Sequence, residues 1–326
     1  MWPIKVFNSI VQLSSLLPLN LVSNSTILIS GASGFLGRHL FSSLKKTTSA
    51  PILRMGLSQR AGADVLADLS KRGSWQQSIS DLSISHVIHL AGLSRSSNER
   101  LLQEIHLDGL RNILEAVQAS RPWFLLVSSG AIYGKTPYLD LPIKEEHKLS
   151  PITEYGKSKL RQERYLEKVA HLLRGVCIVR PSNLVGPGLG EQFFLGNVVH
   201  QINRLRLELD QPRIIRTGSL DSTRDFIDVR DASDAISLLT NSRTTGIFNL
   251  STGQETRLKE AVRLCIPEDM QEISIIQNNS SAKSPIRRQA LDNSKLKRTV
   301  GWDPQYNLHR SIKDMFGWIS RPLGSD

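Results

Sequence analysis

Cysteine is almost missing: Cys177 and Cys265 are the only two in 326 residues. One pair cannot staple a chain of this length, and Cys177 lies inside the apolar run GVCIVR, so a disulfide framework is excluded and a reducing, cytoplasmic setting is expected. Long hydrophobic runs are absent too. No window approaches the roughly 20 apolar residues of a membrane span, and residues 1–25, apolar in places, are broken by Gln12, Pro18 and Asn20 and offer no small-x-small cleavage site. They read as an N-terminal extension of unknown role. Acidic excess is lacking: the formal net charge is +11, which favours a negatively charged partner. No Lys/Arg run is interleaved with aromatics, so the scattered charge reads as a solvated surface, and no nucleic-acid partner is expected. No internal repeat or low-complexity tract occurs, and no paired carboxylates or thiol nucleophile stand out. His86 and His89, three apart on a strand, point to opposite faces and cannot chelate one metal; no metal is expected.

What is present is alternation. TILIS (26–30), PILRM (51–55), HVIHL (86–90), WFLLVS (123–128) and GVCIVR (175–180) read as buried strands, with helical segments between them. In ERLLQEIHLDGLRNILEAVQAS, Leu102, Ile105, Leu110, Ile113, Leu114 and Val117 keep helical spacing. Strands this uniformly apolar are covered on both faces, which predicts an α/β fold: a Rossmann-type doubly wound parallel sheet. After residue 180 the rhythm loosens into Gly/Pro-rich loops, which predicts a smaller mixed α/β C-terminal lobe. The expected division is a dinucleotide-binding domain over 26–180, to which 224–250 returns, and a substrate-binding lobe from 181–223 and 251–326.

The turn after the first strand, ISGASGFLGRHL, carries Gly31, Gly34 and Gly37 at intervals of three. With no Cβ in the way, a pyrophosphate can approach the backbone N–H groups at the start of the next helix. An acidic side chain at the end of the second strand would select NAD(H), but the chain there reads LRMGLSQR. Arg54 and Arg60 suit a ribose 2′-phosphate, so NADP(H) is favoured over NAD(H). Asp68 follows the third strand, where it would accept from the adenine amino group.

In EYGKSK, Tyr155 and Lys159 are four apart on a predicted helix and share a face. An ammonium beside the phenol is expected to draw its pKa down toward working pH, as a proton-relay acid or base requires. The fifth strand runs into SSGAIYG and delivers Ser129 to the carboxyl edge of the sheet. Of the acidic residues Asp225, Asp228, Asp231 and Asp234, Asp231 reads as a helix N-cap rather than a metal ligand.

GASGFLG, HLAG, SSGAIYG, YGKSK, RPSNLVGPG, RDFIDVRDASDA and DNSKLKRTVGWDP, in that order, resemble the extended short-chain dehydrogenase/reductases that act on nucleotide sugars, the epimerase/dehydratase family, over about residues 26 to 320. The resemblance implies Ser129, Tyr155 and Lys159 as catalytic residues, with Tyr155 donating a proton to a sugar carbonyl and Lys159 also binding the nicotinamide ribose. Further cofactor contacts are implied at Ser33, Phe35 and Leu36 in the first turn, at Leu69, and at Leu90, Ala91, Gly92 and Pro181. Arg224 is expected on the substrate diphosphate, and Asn183 and Asn197 in the sugar-nucleotide pocket. A homodimer built on the helices around 100–119 and 153–171 is implied as well.

Departures from the family pattern narrow the reaction. Dehydratases of this type carry an acidic residue where this chain has Ala131, and fucose-type epimerase/reductases carry a cysteine there. Reduction of a nucleotide-linked 4-keto-6-deoxy sugar is the expected activity, and the stretch IIRTGSLDSTRDFIDVRDASDAISLL resembles the reductases that turn GDP-4-keto-6-deoxymannose into GDP-rhamnose. A 4-epimerase with bound NAD and a nonenzymatic dinucleotide sensor are the alternatives. His106 stands where the family commonly has asparagine, which changes the proton relay beyond Lys159.

Overall fold

The computed structural model describes residues 25–320 except 60–61, 95, 97, 208–211, 271 and 279–285. The first half alternates strands β1 (Thr26–Ser30), β2 (Ile52–Gly56), β3 (Val65–Leu66), β4 (Ile84–His89), β5 (Trp123–Val127) and β6 (Gly175–Pro181) with helices α1 (Phe35–Thr47), α2 (Ser74–Ser80), α3 (Glu99–Leu102), α4 (Gly109–Ala116) and α5 (Glu154–Val169). The chain continues through β7 (Asn183–Val185), α6 (Phe194–Leu207), β8 (Ile214–Thr217), β9 (Thr223–Arg224), β10 (Phe226–Asp228), α7 (Val229–Asn241) and β11 (Gly246–Leu250). It closes with β12 (Thr256–Arg257), α8 (Leu258–Cys265), β13 (Ser274–Gln277), α9 (Ser294–Val300) and α10 (Leu308–Ile319).

Seven strands form one sheet in the order β11-β6-β5-β4-β1-β2-β3, and every pairing in it is parallel. The expected doubly wound fold is therefore what the chain adopts. The strand order reverses between β1 and β4, and the crevice outside the carboxyl ends of the strands at that point is where such sheets bind ligands.

Period-two alternation decides what covers each face. Ile27, Ile29, Leu125, Val127 and Val179 pack with Leu40 and Leu44 of α1 and Ile236 and Leu239 of α7. Their neighbours Leu28, Val87, Phe124, Leu126 and Ile178 pack with Ile79 of α2 and Leu110 and Ile113 of α4. Burying each such side chain stabilises the fold by about 1.5–3 kcal/mol before chain entropy is counted. The two strand histidines separate in the same way: His86 lies against Trp123 and His89 against Phe124, whose rings belong to opposite clusters. A third cluster, with Val198, Val199, Ile202, Ile215, Phe226 and Val262, fills the lobe beyond the sheet.

Three expectations need correction. The tail does not all stay with the second lobe: Leu296 and Trp302 join the cluster under the sheet, and the Trp302 indole donates to the Asp231 carbonyl. Packing therefore does not change sides at residue 251. The cap of α7 is Asp228, whose carboxylate accepts from the Arg230 N–H, while Asp231 accepts from the N–H groups of Gln305 and Tyr306 and so holds that returning tail. The single helix expected across 99–117 is interrupted by a π-helical segment, Gln103–Asp108, between α3 and α4. The step of five from Ile105 to Leu110 fits an i to i+5 turn better than an α-helical one.

Burial pushes three histidine pKa values far below the ordinary 6.5: His86 to about 4, His89 to about 3 and His106 to about 2, with Arg243 adding to the effect at His86 and Lys159 at the other two. As pH falls through 6.5 the unfolded chain takes up protons that the folded chain refuses, so the stability present near neutrality is lost toward pH 4. Urea unfolding between about pH 6 and pH 5 is expected to show stability falling by up to about 1.4 kcal/mol per pH unit for each histidine. A flat profile would mean that these rings are not buried neutral.

Candidate active site

The site begins at the carboxyl end of β1. Gly31 turns the chain with φ of 72°, a conformation that suits glycine, and its N–H donates to the Met55 carbonyl at 3.0 Å. A Cβ at Gly37 would collide with the carbonyl oxygens of Gly31 and Ala32, so the first turn of α1 can close on the strand only with glycine there. No side chain caps α1 at Gly34, which leaves the N–H groups of its first turn for a ligand.

β5 supplies the next element. Ser129 follows it, and its Oγ accepts from the Ala131 N–H at 3.1 Å, opening a short 3₁₀ turn. Thr153 caps α5 by accepting from the Gly156 N–H at 3.0 Å, and the helix then presents Tyr155 and Lys159 one turn apart. Ser129 is the polar side chain that acts on the Tyr155 phenol, drawing its pKa down. Lys159 is buried and its ammonium donates to the Val127 carbonyl at 3.0 Å.

The electrostatics differ from the sequence expectation. Loss of solvent around it raises the Tyr155 pKa above its ordinary value, and Ser129 pulls it only partly back; the ammonium is not among the groups acting on it. Burial also lowers Lys159 to about 8, opposed by the charge of Glu163. The phenol is thus held protonated, as a proton donor must be, rather than primed as a phenolate.

These elements enclose a cavity of about 580 Å³. Of the residues singled out from the sequence, Gly31, Gly34, Phe35, Leu36 and Gly37 line it at the first turn, and Leu90 and Gly92 after β4. Ser129, Tyr155, Lys159, Pro181 and Asn183 complete that set. Others lie away from the wall. Ser33 packs toward Gly56, Leu69 is buried under α4 with its carbonyl accepting from Asn112, and Ala91 backs onto Gly31. Asp68 is an exposed turn aspartate, bonded to Ser70 and Lys71. Asn197 faces Gln201 on α6, and Arg224 donates to the Thr223 carbonyl on the small β9–β12 ribbon.

Arg54 is more committed than expected. Asp64 accepts from its Nε, its Nη2 and its backbone N–H, and the guanidinium lies over Phe41 at 4.7 Å. The second strand itself ends without a carboxylate, but the following loop brings one to the same corner. Arg60 lies outside the described residues.

Sequence reasoning missed the far wall of the cavity, formed by Phe193, Phe194 and Leu195 at the start of α6, Phe226, and Gln289, whose amide donates to the Gly130 carbonyl at 3.0 Å. These residues are far apart in sequence, and only Phe226 falls within a quoted motif, RDFIDVRDASDA, where no local pattern marks it as cavity wall. Ser128, the first serine of SSGAIYG, also lines the cavity, with its buried hydroxyl unpartnered.

Residues 27–251 match the model of the NAD dependent epimerase/dehydratase family. The chain belongs to that family. Among curated members, the GDP-6-deoxy-D-mannose reductase of Pseudomonas aeruginosa is 30% identical over 307 residues, 90% of this chain and 97% of the relative. The solved structure of RMD from Pseudomonas aeruginosa complexed with NADPH superposes with a TM-score of 0.78 at 29% identity, covering 91% of this chain and 99% of the other. A Thermus thermophilus UDP-glucose 4-epimerase in complex with NAD shares the fold, with a TM-score of 0.79 at 21% identity over 92% of this chain and all (100%) of the other. Like other members, this chain is an NAD(P)-dependent enzyme of the extended short-chain dehydrogenase/reductase type. Its glycine turn fits a dinucleotide: the space that a Cβ would fill is left open, and the helix end beside it lacks a cap. Among the described residues no helix is long and apolar enough to cross a membrane.

Proposed function

We propose that the protein reduces the 4-keto group of a nucleotide-linked 4-keto-6-deoxy sugar, with GDP-4-keto-6-deoxymannose to GDP-rhamnose as the type reaction and NADP(H) as the favoured cofactor. The observation that carries this reading is a protonated Tyr155 that lines, together with Ser129 and Lys159, the cleft that the glycine turn opens. The similarity to a GDP-6-deoxy-D-mannose reductase and to an NADPH-bound structure supports the substrate class and the cofactor.

In reduction the carbonyl carbon gains a hydride and the oxygen a proton, and NADPH supplies the hydride when bound. The chain supplies the rest. Ser129 orients the phenol toward the carbonyl oxygen, and Tyr155 gives up the proton. Lys159, charged below about pH 8, stabilises the phenolate that remains. Asn183 lines the same cavity and is the reading's contact to the sugar. Ala131 offers no acid or base for elimination, which separates the chain from dehydratases.

Asp64 favours a second reading in part. A carboxylate at the ribose corner suits an unmodified 2′-hydroxyl, so NAD(H) use and 4-epimerisation with retained cofactor stay as the alternative. A nonenzymatic sensor has no use for Ser129, Tyr155 and Lys159 together. The reading includes a cytoplasmic homodimer that buries the outer faces of α3, α4 and α5, supported by the exposed Leu101 on α3 and Ile152 just before α5.

Purified protein given NADPH or NADH and a panel of 4-keto-6-deoxy sugar nucleotides is expected to consume NADPH with the GDP-linked substrate. Tyr155→Phe should lower kcat by about 10²–10⁴-fold with little change in NADPH affinity; an unchanged kcat would remove Tyr155 as the acid. Arg54→Ala should reduce the preference for NADPH over NADH by about tenfold. An unchanged preference would show that Arg54 does not read the 2′-phosphate.

A further inference from the structure

His106 is a buried polar side chain next to the site that the proposed chemistry does not use. It is fully buried in the π-helical turn, its ring edge-on to Tyr155 with centroids 5.9 Å apart. Its Nε2 lies 3.0 Å from the Leu93 N–H, which points at it. The Leu93 carbonyl oxygen stands 3.2 Å from the same nitrogen, so Nε2 meets the Leu93 backbone in either tautomer: bare, it accepts from the N–H; protonated, it donates to the carbonyl. Nδ1 is paired with the Ser158 Oγ at 2.7 Å, and with the proton on Nδ1 the Ser158 hydroxyl donates onward to the Tyr155 carbonyl at 2.8 Å. The Gln162 amide, one turn further along α5, holds the His106 carbonyl at 2.8 Å.

The imidazole therefore touches two parts of the cleft at once. On one side is the loop after β4, where Gly92, Leu93 and Ser94 line the cavity. On the other is the helix that carries Tyr155 and Lys159. Gly92 is fitted to the ring: a Cβ there would stand 2.8 Å from Nε2 and 2.9 Å from Cδ2. The ring thus leaves no room for a side chain at 92, and the histidine and the glycine form a matched pair.

We propose that His106 is a positioning residue for the dinucleotide, a latch that fixes the 92–94 loop against the catalytic helix through Leu93 and Ser158. It does not shuttle a proton, because burial and Lys159 keep its ring neutral throughout the working range. This inference rests on the reading of the cleft as an NADPH site.

The test is NADPH affinity by fluorescence titration of the full chain, with thermal unfolding and kcat at saturating NADPH measured beside it. His106→Ala is expected to weaken NADPH about tenfold and to reduce kcat less than it reduces affinity. His106→Gln, whose amide oxygen reaches toward the Leu93 N–H, should recover most of that loss. Gly92→Ala alone should weaken NADPH about tenfold, yet by less than about threefold once His106→Ala has vacated the space. A folded His106→Ala with unchanged affinity, or effects at 92 and 106 that simply add, would overturn the latch. Should His106→Ala not fold, Ser158→Ala carries the test: weaker NADPH binding is expected, and wild-type affinity in both Ser158→Ala and Gly92→Ala would overturn the proposal. A wild-type protein that fails to bind NADPH overturns the cofactor reading, and the latch with it.

Discussion

Glu163 and Arg180 are buried together, joined by two hydrogen bonds of 2.7 and 3.2 Å, and the geometry of the cleft depends on that pair. Arg180 ends the apolar run of β6, while Glu163 sits one turn beyond Lys159 on α5. The remaining guanidinium nitrogen donates to the Tyr133 hydroxyl and the Glu145 carbonyl, so the charge is satisfied without water. Removing one partner of such a pair leaves a buried, uncompensated charge, at a cost of about 3–5 kcal/mol. The pair thus fixes the roll of α5 about its axis, and with it the aim of Tyr155 and Lys159. Glu163 also opposes the burial that lowers Lys159, so one side chain serves both register and charge.

Around that fixed helix the site separates its tasks by element. The turn after β1 offers backbone donors and open space. The end of β5 offers Ser129, which is held by its own turn and acts on the phenol. Because burial raises the tyrosine and lowers the lysine, the resting site keeps its proton on the phenol. An acid in that state matches reduction, where the substrate oxygen must receive a proton.

Much of this was legible in the sequence, for identifiable reasons. Buried parallel strands demand continuous apolar residues, so β1, β4, β5 and β6 stand out, and the glycine turn follows from what a helix end must do beside a strand. Helical spacing puts Tyr155 and Lys159 on one face, and the resemblance to the family gives them their catalytic roles. What failed to show was anything set by contacts distant in sequence. Asp64 reaches Arg54 across a loop, Asp231 holds Gln305 and Tyr306 from 74 and 75 positions away, and Gln289 reaches Gly130 from 159. The direction of the Tyr155 shift was misjudged for a related reason: spacing puts an ammonium near the phenol, but burial, which spacing does not report, is the larger effect.

The most direct measurement follows the hydride. NADPH carrying deuterium at the transferred position, incubated with the protein and GDP-4-keto-6-deoxymannose, should give a GDP-linked 6-deoxyhexose with one deuterium at C4 and one released NADP⁺ per product. Product without deuterium at C4, or turnover in which the cofactor stays bound and is never consumed, would contradict reduction by the Tyr155 site.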